Sequence, residues 1–219
     1  MSSSGEELLQ KAVQLHQSGE FKEGKKTAEK ARKQFQKKKN YARATEALRV
    51  MADCTLNARD MKEAKKLYSE LMKEAQEMAN LWFQAAAHWG KGQIALHNMD
   101  YSTAIETFES GLEKAQNIAD KWYTGWNAMG LGIAYRGVGR LADAKKVLQE
   151  SVKSFRAANQ TTFVTWAERI LTEIGGEVPE PETKMWLCPM CGSKFRADQA
   201  EILKRGKMVT CEYCGTSVG

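Results

Sequence analysis

Four cysteines near the C-terminal end are the residues of this chain best placed to do chemistry. Cys188-Pro189-Met190-Cys191-Gly192 and Cys211-Glu212-Tyr213-Cys214-Gly215 each hold a C-x-x-C pair, and positions 192–210 separate the two pairs. One C-x-x-C turn presents two thiolates at a corner, and two such turns complete a tetrahedral set of four sulfurs around Zn2+. Gly192 and Gly215 suit the tight turns that bring backbone amides to those thiolates. A rubredoxin-like iron site uses similar knuckles, but its insertion is typically longer and acidic, whereas this one holds Lys204, Arg205 and Lys207. A redox-active disulfide pair is the third reading of such cysteines. With all four positions taken by protein thiolates, none is left for water, so one zinc here would be structural rather than catalytic.

These knuckles need short β segments beside them, expected at 185–187, 194–197, 208–210 and 216–218. The pattern C-P-x-C-x3-F, then Leu203, then Gly206-x-x-Val209-x-Cys211, resembles a small zinc-ribbon family found at the ends of prokaryotic proteins. Residues 186–219 are too few to bury a self-sufficient core, so the metal would supply most of their folding energy. Two excess negative charges on a tetrathiolate zinc offset the +2 of this segment, which makes it a poor generic phosphate binder.

Little else points to catalysis. Cys54 lies between Ala52 and Leu56 and reads as a packed small residue, while His16, His88 and His97 stand at unrelated places. No Gly-rich phosphate loop or nucleophile–base arrangement is present, so no enzyme is expected. The 219 residues are 42% hydrophobic and 27% charged, an ordinary globular balance. The N-terminus lacks the basic and apolar regions of a signal peptide, and no apolar run spans a bilayer, so a cytoplasmic protein is expected. Ser2 removes N-myristoylation.

The part that precedes the knuckles repeats itself with a constant 40-residue period. One column reads Gly24, Ala64, Ala104, Ala144; others read Phe21, Met61, Tyr101, Leu141, then Ala12, Ala52, Gly92, Gly132, and Ala28, Tyr68, Phe108, Leu148. Within a unit, apolar residues such as Ala104, Phe108, Gly111, Leu112 and Ala115 recur at spacings of three and four, one face of a helix. Breaks at Ser18-Gly19-Glu20, Ala58-Arg59-Asp60, Asn98-Met99-Asp100 and Gly137-Val138-Gly139 divide each unit into two antiparallel helices, A and B. Asp60 and Asp100 are placed to cap the helices that follow, and Ser4 with Glu7 forms a candidate capping box. A final A helix over 161–174 has no B partner and would cap the array. Gly175-Gly176 and Pro179-x-Pro181 then end helical structure, so 175–185 reads as a linker.

A small residue, Ala twelve on, and a bulky residue four further resembles the tetratricopeptide repeat. Gly132, Tyr135, Ala144 and Leu148 carry that resemblance best, then Gly92, Ala104 and Phe108. The family's usual period is 34, often with Pro after helix B. Here Gln36, Gln76, Gln116 and Arg156 occupy that slot, and the longer period resembles the long-helix subtype. The fold class so implied is an all-α helical-repeat solenoid over 5–174, four helix pairs plus a capping helix, with a small C-terminal β zinc ribbon over 186–219.

In that family the A helices line a concave groove. Carried onto this chain, the groove and its entrances would hold Arg49, Asp53, Trp89, Gln93, His97, Trp126, Met129, Ile133, Arg136, Trp166 and Arg169, with Trp82 and Trp122 at helix entrances. Five of the six Trp lie on A helices. Trp and Arg dominate interface hot spots, so a protein or peptide partner is expected in the groove, although such rings also serve to pack helix against helix. Family members that clamp an acidic C-terminus use Asn at slots filled here by Val13, Asp53, Gln93 and Ile133. Asp53 would repel that ligand.

Charge is uneven. Residues 1–80 carry 17 Lys or Arg against 12 Asp or Glu, and residues 161–185 carry 2 against 5. The run 21–40 alone holds nine basic residues against two Glu, with Phe21 and Phe35 as aromatic neighbours. It is either a patch for RNA or acidic membrane or the solvated outer face of a terminal helix. Three functions therefore stand: an adaptor with a structural zinc ribbon, a nucleic-acid-associated factor, and a trafficking adaptor similar to SNAP proteins.

Overall fold

The structure, a computed structural model, describes residues 4–180 and 187–219. It divides into two compact units, Met1–Pro179 and Glu180–Gly219. Among the described residues the first unit holds nine helices: α1 (Gly5–Gln17), α2 (Phe21–Lys37), α3 (Tyr41–Asn57), α4 (Met61–Glu77), α5 (Leu81–His97), α6 (Tyr101–Asn117), α7 (Lys121–Gly137), α8 (Leu141–Ala157) and α9 (Thr161–Glu173).

The backbone period is half the sequence period. Helices α2 to α8 are equal in length and begin at evenly spaced positions, from Phe21, Tyr41 and Met61 through to Leu141. Each turn between helices contains one residue of positive φ, at Gly19, Lys39, Arg59, Ala79, Met99, Ala119, Gly139 and Asn159. That left-handed residue bends the chain so that amides beyond the helix end return to its last carbonyls, as Asp60 N does to Thr55 O at 3.2 Å. The residue that follows caps the next helix. Side chains of Asn40, Asp60, Asn80, Asp100 and Asp120 accept from amides three residues on, at 3.2, 3.1, 3.0, 3.1 and 2.7 Å. Ser4 and Glu7 make the expected capping box.

Consecutive helices pack pairwise, and α1, α3, α5 and α7 also touch one another in sequence. The even-numbered helices form an outer row. Its bulky residues plug gaps in the inner row. Phe108 of α6 is fully buried. A Cβ placed on Gly92 of α5 or Gly130 of α7 would come within 2.5 and 2.4 Å of its ring. Glycine at both sites lets one phenyl ring fill the space between two successive inner helices. Leu148 bears on Gly132 in the same way, at 2.5 Å. Cys54 is buried at 0% exposure in this core, and desolvation there raises its thiol to about 12, as befits a packing residue.

The first residues of the expected linker 175–185 are held against the array. Gln149 donates to Glu177 O at 3.0 Å and Arg156 donates to Pro179 O, which lays 175–179 along α8. Residues 181–186 lie outside the described residues, so the rest of that linker and Met185 and Trp186 of the first expected β segment do too.

The second unit contains α10 (Ala197–Lys204), β1 (Val209–Thr210) and β2 (Ser217–Val218). The two strands pair antiparallel as Val209 with Val218 and Thr210 with Ser217, and Leu187 bridges Lys194. The strand expected at 194–197 is thus reduced to one bridging residue, Lys194, and a helix that begins at Ala197 follows. Asp198 in its first turn, Gln199 accepting from Arg196 N at 3.1 Å, and Gly206 at φ +69 past its end explain why. Among the described residues no helix is long and apolar enough to cross a membrane.

Candidate functional site

In the second unit the four cysteines converge. All four Sγ atoms lie within 4.8 Å of one another, with Cys188 to Cys214 at 3.5 Å and Cys191 to Cys211 at 3.7 Å. Tetrahedral coordination at ~2.3 Å from each sulfur requires edges of ~3.8 Å. The donor set fits a metal ion, and the sulfurs are too far apart for disulfides.

The two knuckles are copies of each other. Cys188 N donates to Ser193 O at 2.9 Å and Gly192 N to Cys188 O at 2.8 Å; Cys211 N to Thr216 O and Gly215 N to Cys211 O match them at 2.8 Å each. Gly192 and Gly215 share a left-handed backbone, φ +70 and +73. The second thiol of each pair is pulled below its ordinary range by the hydroxyl and then the amide two residues on. Ser193 does this to Cys191, and Thr216 lowers Cys214 to about 6. Thiolates are the form a metal binds. Cys188 and Cys211 are buried over Phe195, Leu203 and Val209, while Cys191 and Cys214 face solvent.

In the first unit the inner helices enclose a cleft of about 1280 Å³, lined from α1 at one end of the array to α9 at the other. Its wall is aromatic over α5, α7 and α9. Trp126 meets Phe163 at 4.7 Å, Phe155 at 5.4 Å, Trp89 at 5.6 Å and Trp122 at 5.8 Å between ring centroids, and Phe163 meets Trp166 at 5.3 Å. Edge-to-face geometry predominates, which rings prefer over flat stacking. Trp82, Trp89, Trp122 and Trp126 are half-buried, and Trp166 is 45% exposed.

Beneath the polar part of the cleft lies an ion pair. Arg49 donates to Asp53, which also accepts from the buried Tyr68 hydroxyl at 2.7 Å. The guanidinium sits 5.5 Å from the Trp82 ring centroid. Burial alone would lower the Arg49 pKa, but the Asp53 carboxylate beside it holds the group charged. Burial raises the Tyr68 and Tyr123 hydroxyls, with Asp53 adding to the effect, so both stay neutral. The sequence alone makes Asp53 a group that repels a carboxylate in the groove. Its charge is instead spent on Arg49 and Tyr68, which weakens that exclusion. No protein-family model and no curated protein sequence matches the chain.

Of the residues named for the groove, Arg49, Trp89, Gln93, Trp126, Met129, Ile133 and Trp166 line this cleft, and Asp53, His97, Trp82 and Trp122 join them. Arg136 and Arg169 do not. Both point to Glu173, at 3.1 and 3.9 Å, and Arg169 is 71% exposed. Toward the C-terminal ends of α7 and α9 these side chains neutralise the last acidic residue of the array rather than face the cavity. Sequence reasoning passes over Phe163 and Tyr123, both in the cleft wall. A signal exists: Phe83, Tyr123 and Phe163 form an aromatic column at the 40-residue period.

Proposed function

We propose that this protein is an adaptor of the tetratricopeptide type, in which the inner-helix cleft takes an extended segment of another protein. A second, structural module is a zinc ribbon held by Cys188, Cys191, Cys211 and Cys214. The observation that carries the first part is the wall formed by Trp89, Trp122, Trp126, Phe163 and Trp166. Five large rings border a preformed cavity, and none of the Trp is fully buried. Apolar surface of this kind supplies affinity, while Gln93, Asn57 and Arg59 offer hydrogen bonds that fix a backbone.

Zinc is favoured over iron by the basic insertion between the knuckles, and its role is that of a cross-link. Two copied turns and one small hydrophobic cluster hold the unit together only if the thiolates share a cation. Free thiols so arranged belong in a reducing compartment.

Peptides selected from a random display library on the intact protein test the adaptor reading. Binding should weaken by about thirtyfold or more on Trp166→Ala and by less on Gln93→Ala. Selection of no peptide, or of peptides indifferent to both changes, would refute it.

A further inference from the structure

We propose that the outer face of α2 is a binding surface for the sugar-phosphate backbone of single-stranded nucleic acid. Residues 21–40 hold nine Lys or Arg against two Glu, a net +7, whereas the whole chain is +6, so everything else sums to −1. The protein's positive charge is concentrated on one helix and the turn that follows it.

Helical geometry sharpens this concentration. Lys22, Lys26, Lys30, Lys33 and Lys37 are all exposed. At 3.6 residues per turn they fall within a sector of about 80°, in a row about 22 Å long with steps of roughly 5–6 Å. Among the described residues Lys22, Lys30 and Lys37 make no ion pair; Lys26 and Lys33 make only exposed ones, with Glu23 at 4.0 Å and Glu29 at 2.7 Å. Such pairs contribute little and exchange readily for a phosphate.

The row is also narrow. Lys25 and Arg32, on the α4 side, are already taken by Glu63 at 3.7 Å and by Glu70 and Glu74 at 2.6 Å each. Those pairs take Lys25 and Arg32 out of the free charge on the α4 side, so the five lysines stand as a file along α2, continued past its end by the exposed Lys38 and Lys39; a line of this kind matches one phosphodiester strand better than a planar anionic membrane. The expected aromatic neighbours do not flank it. Phe35 is 4% exposed beneath Gly5, and Phe21 is half-buried against His16 at 5.7 Å. With neither phenyl ring open to stack on bases or enter lipid, the lysine row itself reads charge and no sequence; the next exposed ring in the chain, Tyr41, lies past the turn at the start of α3. The second unit, whose charge the metal centre offsets, takes no part.

The test is binding of a 20-nucleotide oligouridylate to the full-length, zinc-loaded protein across a salt series. Five lysine–phosphate contacts predict a log–log slope near −3.5, a loss of about a hundredfold between 50 and 200 mM salt. Lys22→Gln/Lys30→Gln/Lys37→Gln should flatten the slope by about two while leaving the melting curve unchanged, since all three positions are exposed. Arg205→Gln/Lys207→Gln should leave the slope alone. Absence of binding at 50 mM salt, a slope indifferent to the three lysines, or a slope lost through Arg205 and Lys207 would each overturn the proposal. So would vesicles containing phosphatidylserine that bind through the same lysines at least as tightly as the RNA.

Discussion

Trp126 and Trp166 occupy equivalent places in successive repeats, yet truncating them should have opposite consequences. Trp126 touches four rings, at 4.7 to 5.8 Å, whereas Trp166 touches one, at 5.3 Å. Each aromatic pair adds ~0.5–1.5 kcal/mol beyond the area it buries. Trp126→Ala should therefore cost about 3 kcal/mol of stability, the lower end for a large aromatic since the ring is only half-buried. At ~2–4 °C per kcal/mol for a chain of this size, its melting temperature should fall by about 6–12 °C. Trp166→Ala loses one pair from a ring already 45% exposed, so about 1 kcal/mol and roughly 2–4 °C are expected. Its binding loss should be larger: an exposed anchor at the rim of a cleft is worth about 2 kcal/mol or more, a factor of about thirty in Kd. Thermal melts by circular dichroism and calorimetric titration of a display-selected peptide, run on both variants, separate the two effects. If Trp166→Ala melts as low as Trp126→Ala, or leaves Kd unchanged, the aromatic wall is core rather than binding surface.

Metal analysis should return one zinc per chain, and removing it with a chelator, or by Cys191→Ser, should unfold the second unit while the helical signal of the first stays; loss of the whole helical signal would refute the two-unit reading. Gly130→Ala puts a Cβ against the Phe108 ring and should destabilise by about 1–3 kcal/mol, read as a lower denaturant midpoint. Asp53→Ala strands Arg49 and the Tyr68 hydroxyl and should cost about 3–5 kcal/mol, whereas Arg49→Met/Asp53→Leu should recover much of it. Burial, reinforced by Lys91 and Lys114, holds the His88 pKa down to about 4. The unfolded chain then takes up a proton that the folded one refuses, so stability should fall as pH drops from about 6.5 toward 4. His88→Gln should flatten that part of the urea-midpoint profile, and an unaltered profile would remove His88 as its source.

The repeating columns of small and bulky residues expose the helical array because they record contacts that recur in every unit. Gly92 with Phe108 and Gly132 with Leu148 are such pairs, and both exist in the structure. The shorter backbone period is harder to see. Its turns use Lys39, Arg59, Ala79, Met99 and Ala119 in a left-handed conformation usually given to glycine, so composition carries no sign of them. The caps Asn40, Asn80 and Asp120 recur once per sequence repeat, but cap residues are common in loops and stand out only once the turn geometry is known. The four cysteines are legible from spacing alone. The helix α10 is hidden because the ribbon pattern marks strands only beside the knuckles and leaves 198–207 without an element, while Asp198, Gln199 and Gly206 carry the local signals of a helix.

Arg136 and Arg169 show where family-level transfer of groove positions stops. A residue lines a cleft only if its own helix leaves that face open, and here the openness differs from helix to helix. The inner helices α3 and α7 each bury eleven residues, against five each for the outer helices α2 and α6. An inner helix has neighbours on three sides, so its remaining stripe is narrow, and large apolar residues can persist there without exposing much surface. That is where Trp89, Trp126 and Ile133 sit. An outer helix has neighbours on one side and keeps a broad polar face, which costs nothing structurally to load with lysine. The same alternation that builds the array thus separates an apolar inner surface from a charged outer one. Two ligands of opposite chemistry, a protein segment inside and a polyanion outside, could occupy them without competing. Saturating the cleft with a selected peptide should therefore leave oligouridylate affinity unchanged, and a peptide that displaces the RNA would show that both use one surface.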